Sequence, residues 1–292
     1  MGHRAFVPDH GDVGRNVEQA STGVVRSDGV IWLAHRPIDG SVEAVTRLRD
    51  AGHRVLFVTN NSFSTAAQHL DTLRGIGLEA EGDVVSSAMA CGSLLRPGWR
   101  TLVCGGPGLV EAARAAGAIV VEPEMADREP VDAVMVGFHR TFDYEAMRRA
   151  SRAVRNGANF LASNDDATYP TAEGEIPGGG AILAAIETAA GRRAEVAGKP
   201  HPAMATLLRS VLASQDSGVD LSAAVMVGDR PSTDGRFARI LGCRFALVRS
   251  GVTHAGWTAR THPEHFTDCP VHIDVPDLAA VADLLTGAGF ST

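Results

Sequence analysis

Residues 23–32 read GVVRSDGVIW, a short apolar run at Val24-Val25 that stops at Arg26 and turns at Ser27-Asp28-Gly29. A β-branched pair followed by an Asp-Gly turn marks a strand with a polar end. The same punctuation returns further along. RVLFVTNN (54–61) is an apolar run closing on Thr59-Asn60-Asn61, and AAVMVGD (223–229) closes on Asp229. Between such runs lie stretches with helical spacing. In GSVEAVTRLRDAG (40–52), Val42, Val45 and Leu48 share one face and Gly52 follows the last turn.

RTLVCGG (100–106), GAIVVEP (117–123), DAVMVGF (132–138), NFLAS (159–163) and RFALVRSG (244–251) read as further strands. STAAQHLDTLRGIGL (64–78), GLVEAARAAG (108–117), DYEAMRRASRAVRNG (143–157), GGGAILAAIETAAG (178–191), HPAMATLLRSVLAS (201–214) and RFARILG (236–242) read as helices. Alternation of this kind predicts the α/β class, with mainly parallel sheets covered by helices. The units exceed one sheet, so two domains are expected. Residues 1–21 are polar, without a sustained period, and are expected to form a leader.

Composition narrows the function classes. Across 292 residues, 45% are hydrophobic and 21% charged, which is ordinary for a soluble globular chain. The net charge of −7 argues against a nucleic-acid surface. No apolar run reaches the length of a membrane span and nothing near the start resembles a signal peptide. Cys91, Cys104, Cys243 and Cys269 lack CxxC spacing and are expected to be reduced, which favours the cytoplasm.

Ligands of open α/β sheets collect beyond the carboxyl ends of the strands. There the sequence offers Arg26-Ser27-Asp28-Gly29, Thr59-Asn60-Asn61-Ser62, Gly198-Lys199-Pro200 and VGDRPSTD (227–234). Each is a common local pattern, but their order describes a site for a phosphate and a divalent cation. Thr59 and the neighbouring N–H groups of Asn60 and Asn61 can donate to phosphoryl oxygens. Lys199 supplies a point charge. Asp229 and Asp234 offer hard oxygens for Mg²⁺, and Asp28 can act as a general acid or base.

In these motifs, together with VVSSA, SNDDATYP, PGGGA, AGKPHPAM and SGVT, the chain resembles the haloacid dehalogenase superfamily, in its NagD-like p-nitrophenylphosphatase branch. The resemblance implies a Rossmann-like core, 22–98 and 196–292, interrupted by an inserted α/β cap, 99–195. It implies that Asp28 is the general acid/base and holds the metal through its carbonyl. Thr59 is then the phosphate-binding hydroxyl, Lys199 the charge-balancing lysine, Asp229 a Mg²⁺ ligand and Asp234 its acidic neighbour. It also implies that Asn164 and Asp166, within NDDATYP, face substrate. The ligand class implied is a small phosphorylated metabolite or phosphate, with a homodimer through the cap as a further expectation.

Arg26 departs from this pattern, because it aligns with the aspartate that relatives use as nucleophile. A guanidinium stays protonated and has no lone pair to offer. Arg26 is expected to replace the metal by pairing with Asp229 or Asp234, leaving a phosphatase homologue without its covalent step. The alternatives are a still-active Mg²⁺-dependent hydrolase using water or another group, and a structural or regulatory partner. Among the histidines, His139 is expected to pack or to lie on the surface, His201 to lie nearer the site, and His262 and His265 to sit in a solvated loop.

Overall fold

The computed structural model describes residues 22–26, 29–33, 36–171, 173–215, 219–253 and 256–287. The expected leader, Ser27 and Asp28 lie outside the described residues.

The strands run in chain order β1 (Thr22–Arg26), β2 (Trp32–Leu33), β3 (Arg36–Pro37), β4 (Arg54–Thr59), β5 (Val84–Ser86), β6 (Arg100–Cys104), β7 (Ile119–Val121) and β8 (Ala133–Val136). They continue as β9 (Asn159–Ala162), β10 (Thr168–Thr171), β11 (Gly174–Pro177), β12 (Glu195–Val196), β13 (Val225–Gly228), β14 (Arg244–Val248) and β15 (Ile273–Val275). One sheet has the order β15-β14-β13-β1-β4-β5 and a second the order β12-β9-β8-β6-β7. Every pairing within these two sheets is parallel. The α/β reading is therefore correct, and the second sheet is built from chain inserted between β5 and β13.

The first sheet is covered on both faces, so its strands are continuously apolar. Alternate residues separate cleanly. Leu56, Val58, Met226 and Leu247 join Met204, Leu208 and Leu212 of the helix Pro202–Gln215 on one face. Val55, Phe57, Val225, Val227 and Ala246 join the helices Ser41–Asp50 and Leu278–Leu285 on the other. Burying one such Leu or Phe contributes about 1.5–3 kcal/mol.

The apolar layer continues into the inserted sheet through the helices Ser87–Gly92 and Pro107–Ala115. Gly92 lets them close: a Cβ there would lie 2.8 Å from the Ala112 carbonyl oxygen. Helix starts follow their sequence signals. Thr65 and Gln68 form a reciprocal capping box, while Asp143 and Asp277 accept the N–H of Ala146 and Ala280.

β1 lies at the centre of its sheet. The chain runs outward from it to β4 and β5, then returns on its other side as β13, β14 and β15. This reversal is a topological switch point, where a crevice opens beyond the strand ends.

Candidate active site

Three strand ends meet at that crevice. Arg26 is the last residue of β1 and pairs with Val58 of β4; Val25, just before it, pairs with Val227 of β13. Thr59 ends β4, and Asp229 follows β13 directly. The pairing expected of the Arg26 guanidinium lies outside the described part of the structure.

The site has two tiers. In the lower, Thr59, Lys199, Asp229 and Asp234 are at most 2% exposed. Lys199 Nζ donates to Asp234 Oδ1 at 2.9 Å and to the Val58 carbonyl at 3.2 Å. The other Asp234 oxygen accepts the Arg230 N–H at 3.1 Å. Asp229 Oδ2 accepts the Val252 N–H at 2.8 Å. Asp229 is also held between two glycines, since a Cβ on Gly29 or Gly251 would come within 2.3 or 2.0 Å of Oδ2. Gly29 has φ +77°, a turn conformation suited to glycine. Thr59 Oγ1 accepts the Asn61 N–H at 3.0 Å, which leaves its own proton to donate.

The upper tier lines a small cavity of ≈ 40 Å³, whose walls include Asn60, Asn61, Asn164, Asp166, Tyr169 and Arg230. Asn61 Oδ1 caps its own loop by accepting the Phe63 and Ser64 N–H groups. Asn164 donates to the Asn60 carbonyl at 2.9 Å, and Asn60 Nδ2 donates to Asp166 Oδ2 at 2.9 Å. The sequence candidates on the inserted chain thus meet those on the core. Phe138 stacks on Tyr169 at 5.5 Å and meets Phe63 edge-on at 5.9 Å, closing one side.

A larger cleft of ≈ 580 Å³ opens beside it, with Asp166, Thr168 and Arg230 common to both. His201 lines this cleft and its Nε2 meets Asp165 Oδ2 at 3.0 Å, joining the two sheets. Burial raises the Asp165 pKa, but the hydrogen bond and charge of His201 oppose it, and the net shift is downward. His139 lies apart from both cavities, packed on Phe142 with Nε2 3.5 Å from Cys104 Sγ. Burial lowers its pKa.

The histidines of THPEH do more than the solvated loop expected of them. His262 and His265 stack on Trp257 at 4.4 and 4.8 Å, and His265 reaches the large cleft. Trp257 escapes sequence reasoning because nothing local marks it. Arg230 lies within VGDRPSTD and Asp165 within NDDATYP, so for these two the neighbouring candidates were a usable signal.

Residues 25–119 match the haloacid dehalogenase-like hydrolases and residues 196–279 the related HAD-hydrolase-like family. Chronophin of Rattus norvegicus is 33% identical over 93% of this chain and 89% of its own length. D-glycerol 3-phosphate phosphatase of Mycobacterium tuberculosis is 36% identical over 80% of this chain, a match spanning 63% of that relative. Among solved structures, a p-nitrophenyl phosphatase from Archaeoglobus fulgidus superposes with TM-score 0.80 at 28% identity, covering 91% of this chain and 99% of that one. A glycerol phosphate phosphatase from Mycobacterium tuberculosis, in complex with calcium, gives 0.77 at 31% identity, covering 91% of this chain and 76% of that one; it is also solved with magnesium. The chain belongs to the haloacid dehalogenase-like hydrolases, in the NagD-like p-nitrophenylphosphatase branch.

Proposed function

We propose that this chain binds a small phosphorylated metabolite on a phosphatase scaffold whose aspartyl-phosphate chemistry Arg26 has removed. The observation that carries the reading is the position of Arg26, last on the central strand between the ends that bear Thr59 and Asp229. An arginine there can neither attack phosphorus nor ligate a cation. It also brings a permanent positive charge to the strand end where a metal would need oxygen donors. Magnesium takes one or two carboxylates with several waters; Asp229 offers one, but Asp234 already accepts from Lys199 and from the Arg230 N–H, and Arg26 ends the strand paired with β13. With an arginine in that place the donor set does not fit Mg²⁺ as it stands.

What remains suits an anion. Thr59 has a proton to donate, Lys199 supplies charge beneath the pocket, and Arg230 adds a guanidinium to the cavity wall. In this reading Asn164 and Asp166 border the ester's organic part, which extends into the larger cleft. The boundaries 99–195 for the cap and 22–98 with 196–292 for the core belong to the same proposal, as does a cytoplasmic setting. No helix among the described residues is long and apolar enough to cross a membrane. The competing reading, a still-active hydrolase of small phosphate esters, draws on the phosphatase names of the relatives.

The two part on one assay: p-nitrophenyl phosphate hydrolysis with Mg²⁺, natural protein against Arg26→Asp. Restoring a nucleophile raises the rate by about a thousandfold or more from a near-silent start. Robust Mg²⁺-dependent turnover by the natural protein would sink the proposal and point to an activated water.

A further inference from the structure

We infer that Asn60 is a positioning residue that couples the seating of the inserted sheet to the placement of Lys199; the inference rests on the phosphate-pocket reading above. Asn60 makes five hydrogen bonds to three distant segments. Its Nδ2 donates to Asp166 Oδ2 at 2.9 Å and to the Lys199 carbonyl at 3.0 Å. Its Oδ1 accepts the Lys199 N–H at 2.8 Å. Its carbonyl accepts Ser87 Oγ at 2.7 Å and Asn164 Nδ2 at 2.9 Å.

These partners fix the orientation of the carboxamide. Only the oxygen can face the Lys199 N–H, and only the nitrogen can face a carboxylate. With its donors committed in this way, the side chain acts on a ligand through Lys199 rather than by contact.

The surrounding backbone leaves little slack. A Cβ on Gly198 would lie 2.4 Å from the Ser163 carbonyl oxygen, 2.8 Å from Asn60 Oδ1 and 3.0 Å from Ser87 Cβ. From this junction the Lys199 side chain runs inward to Val58 and Asp234. Two further contacts tie the same inserted segment to the core: Ser163 Oγ to Ser62 Oγ at 2.8 Å, and Asp165 to His201 at 3.0 Å. A shift of residues 163–166 therefore reaches the lysine through Asn60.

The test exchanges donor and acceptor across the seam. Asn60→Asp keeps the acceptor for the Lys199 N–H but sets a carboxylate against Asp166. Asn60→Asp with Asp166→Asn restores a donor–acceptor pair between these two side chains in reverse polarity, at the natural net charge, while the donation to the Lys199 carbonyl stays lost. Calorimetry with inorganic phosphate is expected to give an affinity about tenfold weaker for the single variant, with part of the loss recovered in the double. Unchanged affinity in Asn60→Asp, or no recovery in the double, overturns the inference.

If Asn60→Asp does not fold, Asp166→Ala carries the test. Positioning expects weaker phosphate binding, whereas removal of a nearby negative charge acting directly would leave it equal or tighter and overturn the inference. Hydrogen exchange of residues 163–166 and 198–201 keeps the two readings apart. If the natural protein binds no phosphate, the functional proposal falls. The coupling still stands if Asn60→Asp speeds exchange in both segments and the double variant restores them, and fails if only one segment responds.

Discussion

Lys199–Asp234 beneath the crevice and the Asp127 cluster, between the turn Met125–Asp127 and the helix Tyr144–Arg155, are both arginine- or lysine-to-aspartate assemblies, held in opposite ways. Lys199 and Asp234 are 1% and 0% exposed and meet at 2.9 Å, each with a backbone partner besides. Asp127 faces three arginines: Arg148 through two bonds at 2.9 and 3.0 Å, Arg149 at 3.0 Å and Arg152 at 3.4 Å, all reached by water. Counting contacts would rank the cluster as the stronger. Burial reverses the order, because a desolvated charge that loses its partner has nowhere to turn.

Breaking the buried pair is thus expected to have the largest effect. Asp234→Ala removes the buried carboxylate that Lys199 Nζ meets at 2.9 Å and should destabilise the fold by about 3–5 kcal/mol in urea unfolding. Lys199→Met with Asp234→Ala removes both charges, and with them the acceptor for the Arg230 N–H, and should recover part of that loss. An equal loss in the double variant would mean that the Arg230 N–H contact, not the charge, is what matters.

A second substitution probes how little room the buried side has. Gly251→Ala places a methyl 2.0 Å from Asp229 Oδ2 and 2.5 Å from its Cγ. Overpacking of this kind costs about 1–3 kcal/mol. The carboxylate must shift, so an Arg26→Asp protein that also carries Gly251→Ala should lose the turnover gained, well beyond its change in thermal midpoint. A matched pair of rates would show that Asp229 has freedom the geometry denies it.

The buried tier was legible in the sequence for the same reason that it is unforgiving. Strands covered on both faces must be apolar throughout, so β4, β13 and β14 stand out, and polar residues at their ends have few reasons to be there. Thr59, Asp229, Asp234 and Lys199 could be named from that order alone. What each one touches could not. Lys199 was expected on a phosphate and also pairs with Asp234, 35 positions away. The hairpin β10–β11 went unread because its four-residue strands carry Pro170, Gly174 and Pro177 and lack apolar alternation. The Ser62–Ser163 and His201–Asp165 contacts join positions 101 and 36 apart, and no local pattern records such a meeting.

The smallest effect belongs to the partly exposed cluster, and its pH dependence identifies it. Hydrogen bonds from Arg148, then Arg149, hold the Asp127 carboxyl at a pKa of about 2, below the ordinary 3.8. A depressed carboxylate pKa contributes stability that is complete above the unfolded value and fades as pH falls towards the folded one. Asp127→Asn should therefore lower the thermal midpoint slightly at neutral pH, by less than Gly251→Ala. The gap between variant and natural protein should narrow between about pH 4 and pH 2. Added salt should shrink it too, since exposed pairs are screened. A large gap that ignores both pH and salt would place Asp127 with the buried pair, and burial would no longer be what separates the two assemblies.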